Sequence, residues 1–175
     1  CDWGSNRVRR VMRATGAVID IAGGAAAYPN GSINGPHGIA RAWGQPGAPV
    51  YFSQSGNPNI VKYDPATGIN SVVTFTYAGV PTTVMPGTVH TTLCYLNGPN
   101  DGAQGSLYIP SRNSHVVFRY DIATNTLTIH CGTLGASGLS ADGVTRATGR
   151  LNQPETLTGN PLTSDLYIGE NAGRR

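Results

Sequence analysis

Residues 116–132 read VVFRYDIATNTLTIHCG, and this stretch shows most clearly how the chain folds. Apolar and polar side chains alternate on both sides of the central DIATN segment, as they do along short strands with one buried face. A second copy of the segment, Asp64-Pro65-Ala66-Thr67-Gly68, has the Asp and Gly that tight turns use. We therefore predict two antiparallel strands joined by a turn in each copy.

Two motifs recur along the chain. The first joins a basic-apolar pair to an Ala-Thr turn: Arg10-Val11 with Ala14-Thr15-Gly16, Lys62-Tyr63 with Ala66-Thr67-Gly68, and Arg119-Tyr120 with Ala123-Thr124-Asn125. The second joins an Asn-Gly-Pro-like element to a β-rich triplet: Ile33-Asn34-Gly35-Pro36 with Val50-Tyr51-Phe52, Leu96-Asn97-Gly98-Pro99 with Leu107-Tyr108-Ile109, and Leu151-Asn152-Gln153-Pro154 with Leu166-Tyr167-Ile168. Because both recur in the same order about 55 residues apart, they indicate a repeat with the spacing of propeller blades.

Each repeat accounts for four short strands, the innermost directly after the Asn-Gly-Pro element. We therefore predict an all-β propeller of four-stranded antiparallel blades. Residues 33–79 and 96–132 are predicted as blades, residues 1–24 as an outer half-blade, and residues 151–175 as an inner half-blade. About three blades are fewer than a closed propeller has, so we predict part of a six-bladed ring. The chain is then a segment of a longer protein, one of two copies that complete each other's split blade, or a small ring closed within itself.

The composition excludes several classes of protein. Only 12% of the 175 residues are charged while 39% are hydrophobic, which excludes disorder driven by charge. Lys62 is the only lysine, and Glu155 and Glu170 are the only glutamates, so long helices are not expected. The net charge of +3 is too weak to indicate nucleic-acid binding. No stretch approaches the roughly 18 apolar residues of a membrane span.

The chain resembles the bacterial-type NHL-repeat propellers. The resemblance rests on residues 138–154, GLSADGVTRATGRLNQP, on the Leu-Tyr-Ile triplets, and on the segment Asn6-Arg7-Val8-Arg9-Arg10-Val11. It covers essentially the whole chain and implies the propeller fold, which hosts many unrelated activities. We expect a non-catalytic scaffold or recognition module, extracellular or at the cell surface, that binds a protein or glycan partner or builds an assembly.

The residue after each repeated Pro is His37, Asn100 or Glu155. Because the start of each innermost strand of a propeller faces the central channel, these residues are candidate ligand-binding groups around one axis. Propeller lyases that resemble this family hold zinc with histidines from several blades, whereas only His37 is an imidazole here, so we assign no zinc and no cofactor. A hard divalent cation or sugar hydroxyls would suit the set. The enzymatic alternative is a metal-assisted lyase or hydrolase at the channel.

Arg7, Arg9, Arg10 and Arg13 form a basic patch. Some NHL-type propellers bind RNA through a basic face, which makes RNA binding the second alternative. Alternation places Arg7 and Arg9 on one strand face, and Val11 is the residue of this stretch that we expect to be buried. A solvated outer strand is the favoured interpretation, so nucleic acid is not an expected partner.

Two covalent modifications are also considered. Cys94 and Cys131 are the best candidates for a disulfide, which would leave Cys1 unpaired, and three unpaired small buried residues are the alternative. Asn30 begins an Asn-Gly-Ser sequon, a glycosylation site if the protein is secreted by a eukaryote.

Overall fold

In the computed structural model of the chain, residues 1–23, 33–87, 91–141 and 143–172 are described. Within them the protein is all-β, with fourteen strands and a 3-10 turn at Arg112–Ser114. The first eight strands are β1 (Val8–Val11), β2 (Val18–Ala22), β3 (Pro36–Arg41), β4 (Val50–Gln54), β5 (Ile60–Tyr63), β6 (Asn70–Val72), β7 (Phe75–Tyr77) and β8 (Val80–Thr82). The others are β9 (Cys94–Leu96), β10 (Ser106–Ser111), β11 (Val116–Asp121), β12 (Thr126–Gly132), β13 (Pro154–Asn160) and β14 (Asp165–Glu170). No helix in the described ranges is long and apolar enough to cross a membrane.

The strands form four sheets that follow one another along the chain. Strands β3 to β6 form a four-stranded antiparallel sheet in sequence order. Strands β9 to β12 repeat this order in a second sheet, which the hairpin β7–β8 extends to six strands because β7 pairs parallel with β12. The pairs β1–β2 and β13–β14 are two-stranded sheets within the described residues.

The predicted turns are confirmed, and side-chain hydrogen bonds explain why the motif recurs. The Asp64 carboxylate accepts the backbone N–H of Ala66 at 2.8 Å. The Asp121 carboxylate accepts the corresponding N–H of Ala123 at 3.1 Å. Gly68 and Asn125 close these turns with φ angles of 72° and 53°, the left-handed region that Gly and Asn tolerate best.

Three hydrophobic clusters join successive sheets. Each is built from residues that alternate along strands, so each sheet contributes one face to the cluster before it and the other to the cluster after it. The cluster between β1–β2 and β3–β6 includes Val8, Ile21, Phe52 and Val61. The cluster between β3–β6 and β9–β12 includes Tyr51, Ile60, Leu107 and Phe118. The cluster between β9–β12 and β13–β14 includes Tyr108, Val117, Leu157 and Leu166. Full burial of one such side chain contributes about 1.5–3 kcal/mol.

The boundaries of the repeats differ from the predicted ones. Strand β9 lies before Asn97-Gly98-Pro99, whereas β3 and β13 begin at the Pro of their motifs. Residues 75–82 pair with the following sheet. The sequence predicts them as part of the blade 33–79 or of the connection after it. Asn-Gly-Pro favours a turn wherever it occurs, so it introduces the inner strand in one repeat and follows it in another.

Val8, and not Val11, is the buried residue of β1. Val8 is fully buried, whereas 61% of Val11 is exposed. The two residues are three positions apart and lie on opposite faces of the strand. Within the described part of the chain, only the face of Val8 is covered by another sheet.

Candidate functional site

The inner strands β3, β9 and β13 are joined through side-chain hydroxyls. The Ser53 hydroxyl accepts the N–H of Gly38 at 2.9 Å and donates to the Thr91 carbonyl oxygen at 3.0 Å. The Thr91 and Thr92 hydroxyls both donate to the Glu155 carbonyl oxygen, at 2.5 and 3.0 Å. These bonds fix the amino-terminal ends of three neighbouring inner strands relative to one another.

The inner strands approach each other closely at Gly38. A Cβ atom at this position would clash with the Thr91 carbonyl oxygen and with the backbone of Thr92. The site therefore requires glycine for space and not for a left-handed backbone.

His37 and Glu155 occupy equivalent positions in β3 and β13. Arg41 pairs with Val50 and Gly159 pairs with Leu166, the first residue of the triplet in each case. His37 and Glu155 each lie four residues before the paired residue. His37 is exposed and Glu155 is partly buried, so both side chains remain reachable from solvent.

Asn100 does not share this position, which corrects the prediction. In the sheet β9–β12, Tyr95 pairs with Leu107, so the residue four positions earlier is Thr91. Asn100 lies in the turn after β9, at the opposite end of the inner strand, where its N–H donates to the Ser164 hydroxyl at 3.2 Å. Only the strand pairing identifies Thr91, because the first residue of the triplet lies 13 residues after His37, 11 after Glu155 and 16 after Thr91.

A buried carboxylate organises the end of the sheets at which Asn100 lies. Asp101 accepts hydrogen bonds from the Tyr108 hydroxyl at 2.7 Å, the Gly98 N–H at 2.7 Å and the Ser164 hydroxyl at 2.8 Å. Burial and the hydrogen bond to Asp101 raise the pKa of Tyr108, because both disfavour the phenolate. Asp101 thus links the β9–β10 loop to the β13–β14 turn as a structural group.

The basic patch is partly neutralised. Arg7 pairs with Asp20 at 2.8 Å, and Arg9 pairs with Asp20 at 3.2 Å and with Asp2 at 2.9 Å. Their common partner shows that Arg7 and Arg9 lie on one strand face, as predicted. In the part of the chain that is described, the Arg10 side chain has no hydrogen bond or ion pair, and it borders a cleft of about 310 Å³ between β1–β2 and β3–β5.

Cys94 and Cys131 are free thiols, which corrects the predicted disulfide. They lie on β9 and β12, with β10 and β11 between them. Three strand spacings of roughly 4.8 Å place the two strands about 14 Å apart, beyond the reach of a disulfide. Burial raises the pKa of both thiols to about 11, which keeps them protonated near neutral pH.

His130 is a partly buried histidine. Its ring packs edge-on against Tyr108, with 4.8 Å between the ring centroids, and burial lowers the pKa of His130 to about 4.

Metal binding and glycosylation are the remaining candidate features. The described ranges contain no cluster of three or more His, Cys, Asp or Glu side chains that could hold a metal ion. Asn30 lies outside the described residues.

Comparison with solved structures supports a β-propeller fold. The chain matches virginiamycin B lyase from Staphylococcus aureus with a TM-score of 0.59 and 14% identity, over 97% of this chain and 43% of that one. It matches an auxiliary nutrient binding protein from Bacteroides thetaiotaomicron with a TM-score of 0.61 and 18% identity, over 95% and 37% of the two chains. A Bacteroides thetaiotaomicron protein of unknown function gives a TM-score of 0.67 and 14% identity, over 95% and 40%.

These neighbours are propeller-type proteins, so their likeness assigns the fold and not the activity. No family model matches the chain, and no curated protein matches it. The chain spans less than half the length of the solved neighbours.

Proposed function

We propose that the chain is a non-catalytic recognition module of an NHL-like propeller, extracellular or at the cell surface. It contributes about three four-stranded blades, counting the two terminal strand pairs as half-blades, to a six-bladed ring. A protein or glycan partner binds at the amino-terminal ends of the inner strands, beside His37 and Glu155. The observation that carries this proposal is the hydroxyl network that holds β3, β9 and β13 together at these residues.

The chemistry of this strand end suits a ligand with many hydroxyl or amide groups. An imidazole and a carboxylate supply donors and acceptors on either side of Thr91, while the strands beneath them are already fixed. Binding to a preorganised surface loses little conformational entropy, which favours recognition by a few polar contacts. The neighbour described as an auxiliary nutrient binding protein supports a binding role.

A glycan array tests the proposal, followed by calorimetric titration of the strongest soluble glycan. His37→Ala and Glu155→Gln should each weaken binding at least about fivefold, the effect of one lost hydrogen bond of about 1 kcal/mol. Asn100→Ala is the matched control, because this exposed side chain lies at the other end of the inner strand. If Asn100→Ala weakens binding as much as the two variants do, the proposed location of the site is contradicted. If no glycan binds, the proposed partner is a protein. The test is then whether His37→Ala and Glu155→Gln weaken binding to a protein that the unsubstituted chain captures.

The alternative is a metal-assisted lyase or hydrolase at the same strand ends. The neighbour described as virginiamycin B lyase favours it, and the exposed His37 imidazole is the group placed to accept a proton. Incubation with virginiamycin B, followed by mass spectrometry, tests it. Turnover that is lost in His37→Ala supports catalysis. Thermal stabilisation by Ca²⁺ or Mg²⁺ that disappears in His37→Ala supports the cation.

RNA binding through Arg7, Arg9, Arg10 and Arg13 is the third function. Arg7 and Arg9 already pair with Asp20, which leaves fewer free cations for phosphates. Affinity for a single-stranded RNA that falls steeply with salt, and that is lost when Arg7, Arg9 and Arg10 are neutralised, would support it.

A further inference from the structure

A polar cleft of about 330 Å³ lies between the sheet β3–β6 and the sheet β9–β12. We propose that this cleft binds a small hydroxylated carboxylate, the chemical class of a sugar acid, with the Lys62 ammonium on the carboxylate group. Both walls are four-stranded antiparallel units, unlike the pairs β1–β2 and β13–β14. The cleft is distinct from the inner-strand ends at His37 and Glu155, so this proposal and the proposed function are tested separately.

One wall of the cleft is a row of three polar side chains. Tyr51 lies opposite Lys62 on the neighbouring strand, and Lys62 lies opposite Ser71 on the next. Side chains of directly opposite residues share one face of a sheet, and all three residues line the cleft. Among the described residues around the cleft, Lys62 is the only cation and none is acidic. The wall therefore presents one positive charge between two hydroxyl groups.

Two groups of this row have no partner in the described part of the chain. Tyr51 is only 2% exposed, yet its hydroxyl forms no hydrogen bond there. Burial raises the pKa of Tyr51 to about 12, so the hydroxyl keeps its proton near neutral pH. The Lys62 ammonium forms no hydrogen bond or ion pair with any described residue. A buried hydroxyl normally has a partner, and a ligand oxygen in the cleft supplies one.

The next sheet contains the same row with its partners in place. Tyr108 lies opposite Arg119, and Arg119 lies opposite Thr128. The Tyr108 hydroxyl donates to the Asp101 carboxylate at 2.7 Å. The Arg119 guanidinium pairs with the Asp121 carboxylate at 3.4 Å. The tyrosine and the cation of this row are thus satisfied within the protein.

The row of Lys62 lacks both carboxylates. Asp101 lies in the β9–β10 loop, whereas the corresponding β3–β4 loop, residues 42–49, contains no acidic residue. Asp64 is the counterpart of Asp121, but within the described contacts it forms no ion pair with Lys62. The same row is therefore a satisfied structural feature in one unit and an open anion site in the other.

The facing wall adds donors for further oxygen atoms of a ligand. The Tyr120 hydroxyl donates to the Asn125 Oδ1 at 2.7 Å, which leaves the two amide hydrogens of the Asn125 side chain without a partner among the described residues. The single Lys62 ammonium matches the single charge of a carboxylate, whereas a phosphate monoester carries about 1.5 to 2 charges at neutral pH. A volume of about 330 Å³ lies at the small end of ligand sites and suits a molecule with one sugar ring.

Isothermal titration calorimetry of the 175-residue chain tests the ligand class, with D-glucuronate, D-galacturonate, D-glucose and inorganic phosphate as ligands. We expect saturable binding of a uronate at one site. Glucose should bind at least about tenfold more weakly, because it lacks the carboxylate that Lys62 contacts. The proposal is overturned if neither uronate shows saturable binding, if glucose binds equally well, or if phosphate binds more tightly than both uronates.

Charge-matched variants test the location of the site. Lys62→Gln should weaken uronate binding at least about tenfold. Arg10→Gln removes the same charge from an exposed side chain outside the cleft, so it is the matched control and should leave the affinity unchanged. Equal weakening by both variants would mean that the uronate responds to net charge alone, against the proposal. Loss of uronate binding in His37→Ala would locate the acid at the inner-strand ends, which would support the proposed function and overturn the site at Lys62.

Removal of the two tyrosine hydroxyls separates ligand binding from stability. Tyr51→Phe should weaken uronate binding about fivefold without lowering the melting temperature of the ligand-free protein, because this hydroxyl has no partner among the described residues. Tyr108→Phe should lower the melting temperature, because it removes a donor to Asp101, and should leave the uronate affinity unchanged. A lower melting temperature with unchanged affinity in Tyr51→Phe would show that this hydroxyl serves the fold and not a ligand, contrary to the proposal.

Discussion

The sheet β9–β12 and the pair β13–β14 contain the same triplet in different surroundings. Tyr108 is 2% exposed and donates its hydroxyl to Asp101, whereas its counterpart Tyr167 is 59% exposed. Ile109 is fully buried between two sheets, while Ile168 is partly exposed. The motif therefore fixes strand pairing within a sheet, and the neighbouring sheet determines how much stability each residue contributes.

The largest difference should appear when the third residue of each triplet is truncated. Ile109→Ala should lower the free energy of unfolding by about 2–5 kcal/mol, because it leaves a cavity between two packed sheets. Ile168→Ala should cost clearly less, since its site is partly open to water and can relax. Urea denaturation of both variants measures the two losses. Equal losses would show that β13–β14 is covered as fully as β9–β12.

A smaller effect should appear in the pH dependence of stability. Burial lowers the pKa of His130 to about 4, below its ordinary value near 6.5. Between these values the unfolded chain binds more protons than the folded one, so His130 makes stability fall as the pH decreases from about 6.5 to 4.

The variant His130→Phe should flatten this part of the profile while it keeps the ring against Tyr108. His37→Ala is the matched control, because His37 is exposed. Thermal melts from pH 7 to pH 4 measure both. A profile unchanged by His130→Phe would show that the folded protein accommodates the imidazolium.

The smallest effect on stability should come from the turn between β11 and β12. Asp121→Ala removes the acceptor of the Ala123 and Thr124 N–H groups and should cost about 1 kcal/mol. Met12 is the counterpart of Asp121 in the β1–β2 turn, so Met12→Asp should gain up to about 1 kcal/mol by adding the missing acceptor. Chemical denaturation measures the pair. Destabilisation by Met12→Asp would mean that the β1–β2 turn differs from the other two.

Local features were predictable from the sequence. The Asp-x-Ala-Thr-Gly/Asn segments specify their turns through hydrogen bonds within five residues, so neither Asp64 nor Asp121 depends on distant parts of the chain. The alternation of side chains likewise identified the strands, and their recurrence indicated a propeller before any comparison. The equivalent strand positions of His37 and Glu155 were predictable because a Pro begins both of their strands.

Features that depend on contacts between strands were not predictable in the same way. Asn100 was misplaced because Asn-Gly-Pro specifies a turn without saying which side of a strand the turn lies on. The Cys94–Cys131 pairing failed because the order of four strands separates the two residues. The burial of Val8 in place of Val11 depends on which face of β1 another sheet covers.

The hairpin β7–β8 also affects how the molecule should come apart under load. Hydrogen bonds from β7 to β12, with Phe75 packed against Tyr120 and Tyr77 against Phe118, tie the connection after β6 into the next sheet. Pulling on β6 therefore loads the outer edge of β12 before β9 can detach. In a single-molecule stretching experiment, we expect residues 36–132 to rupture as one mechanical unit, after the two terminal hairpins have peeled away at lower force.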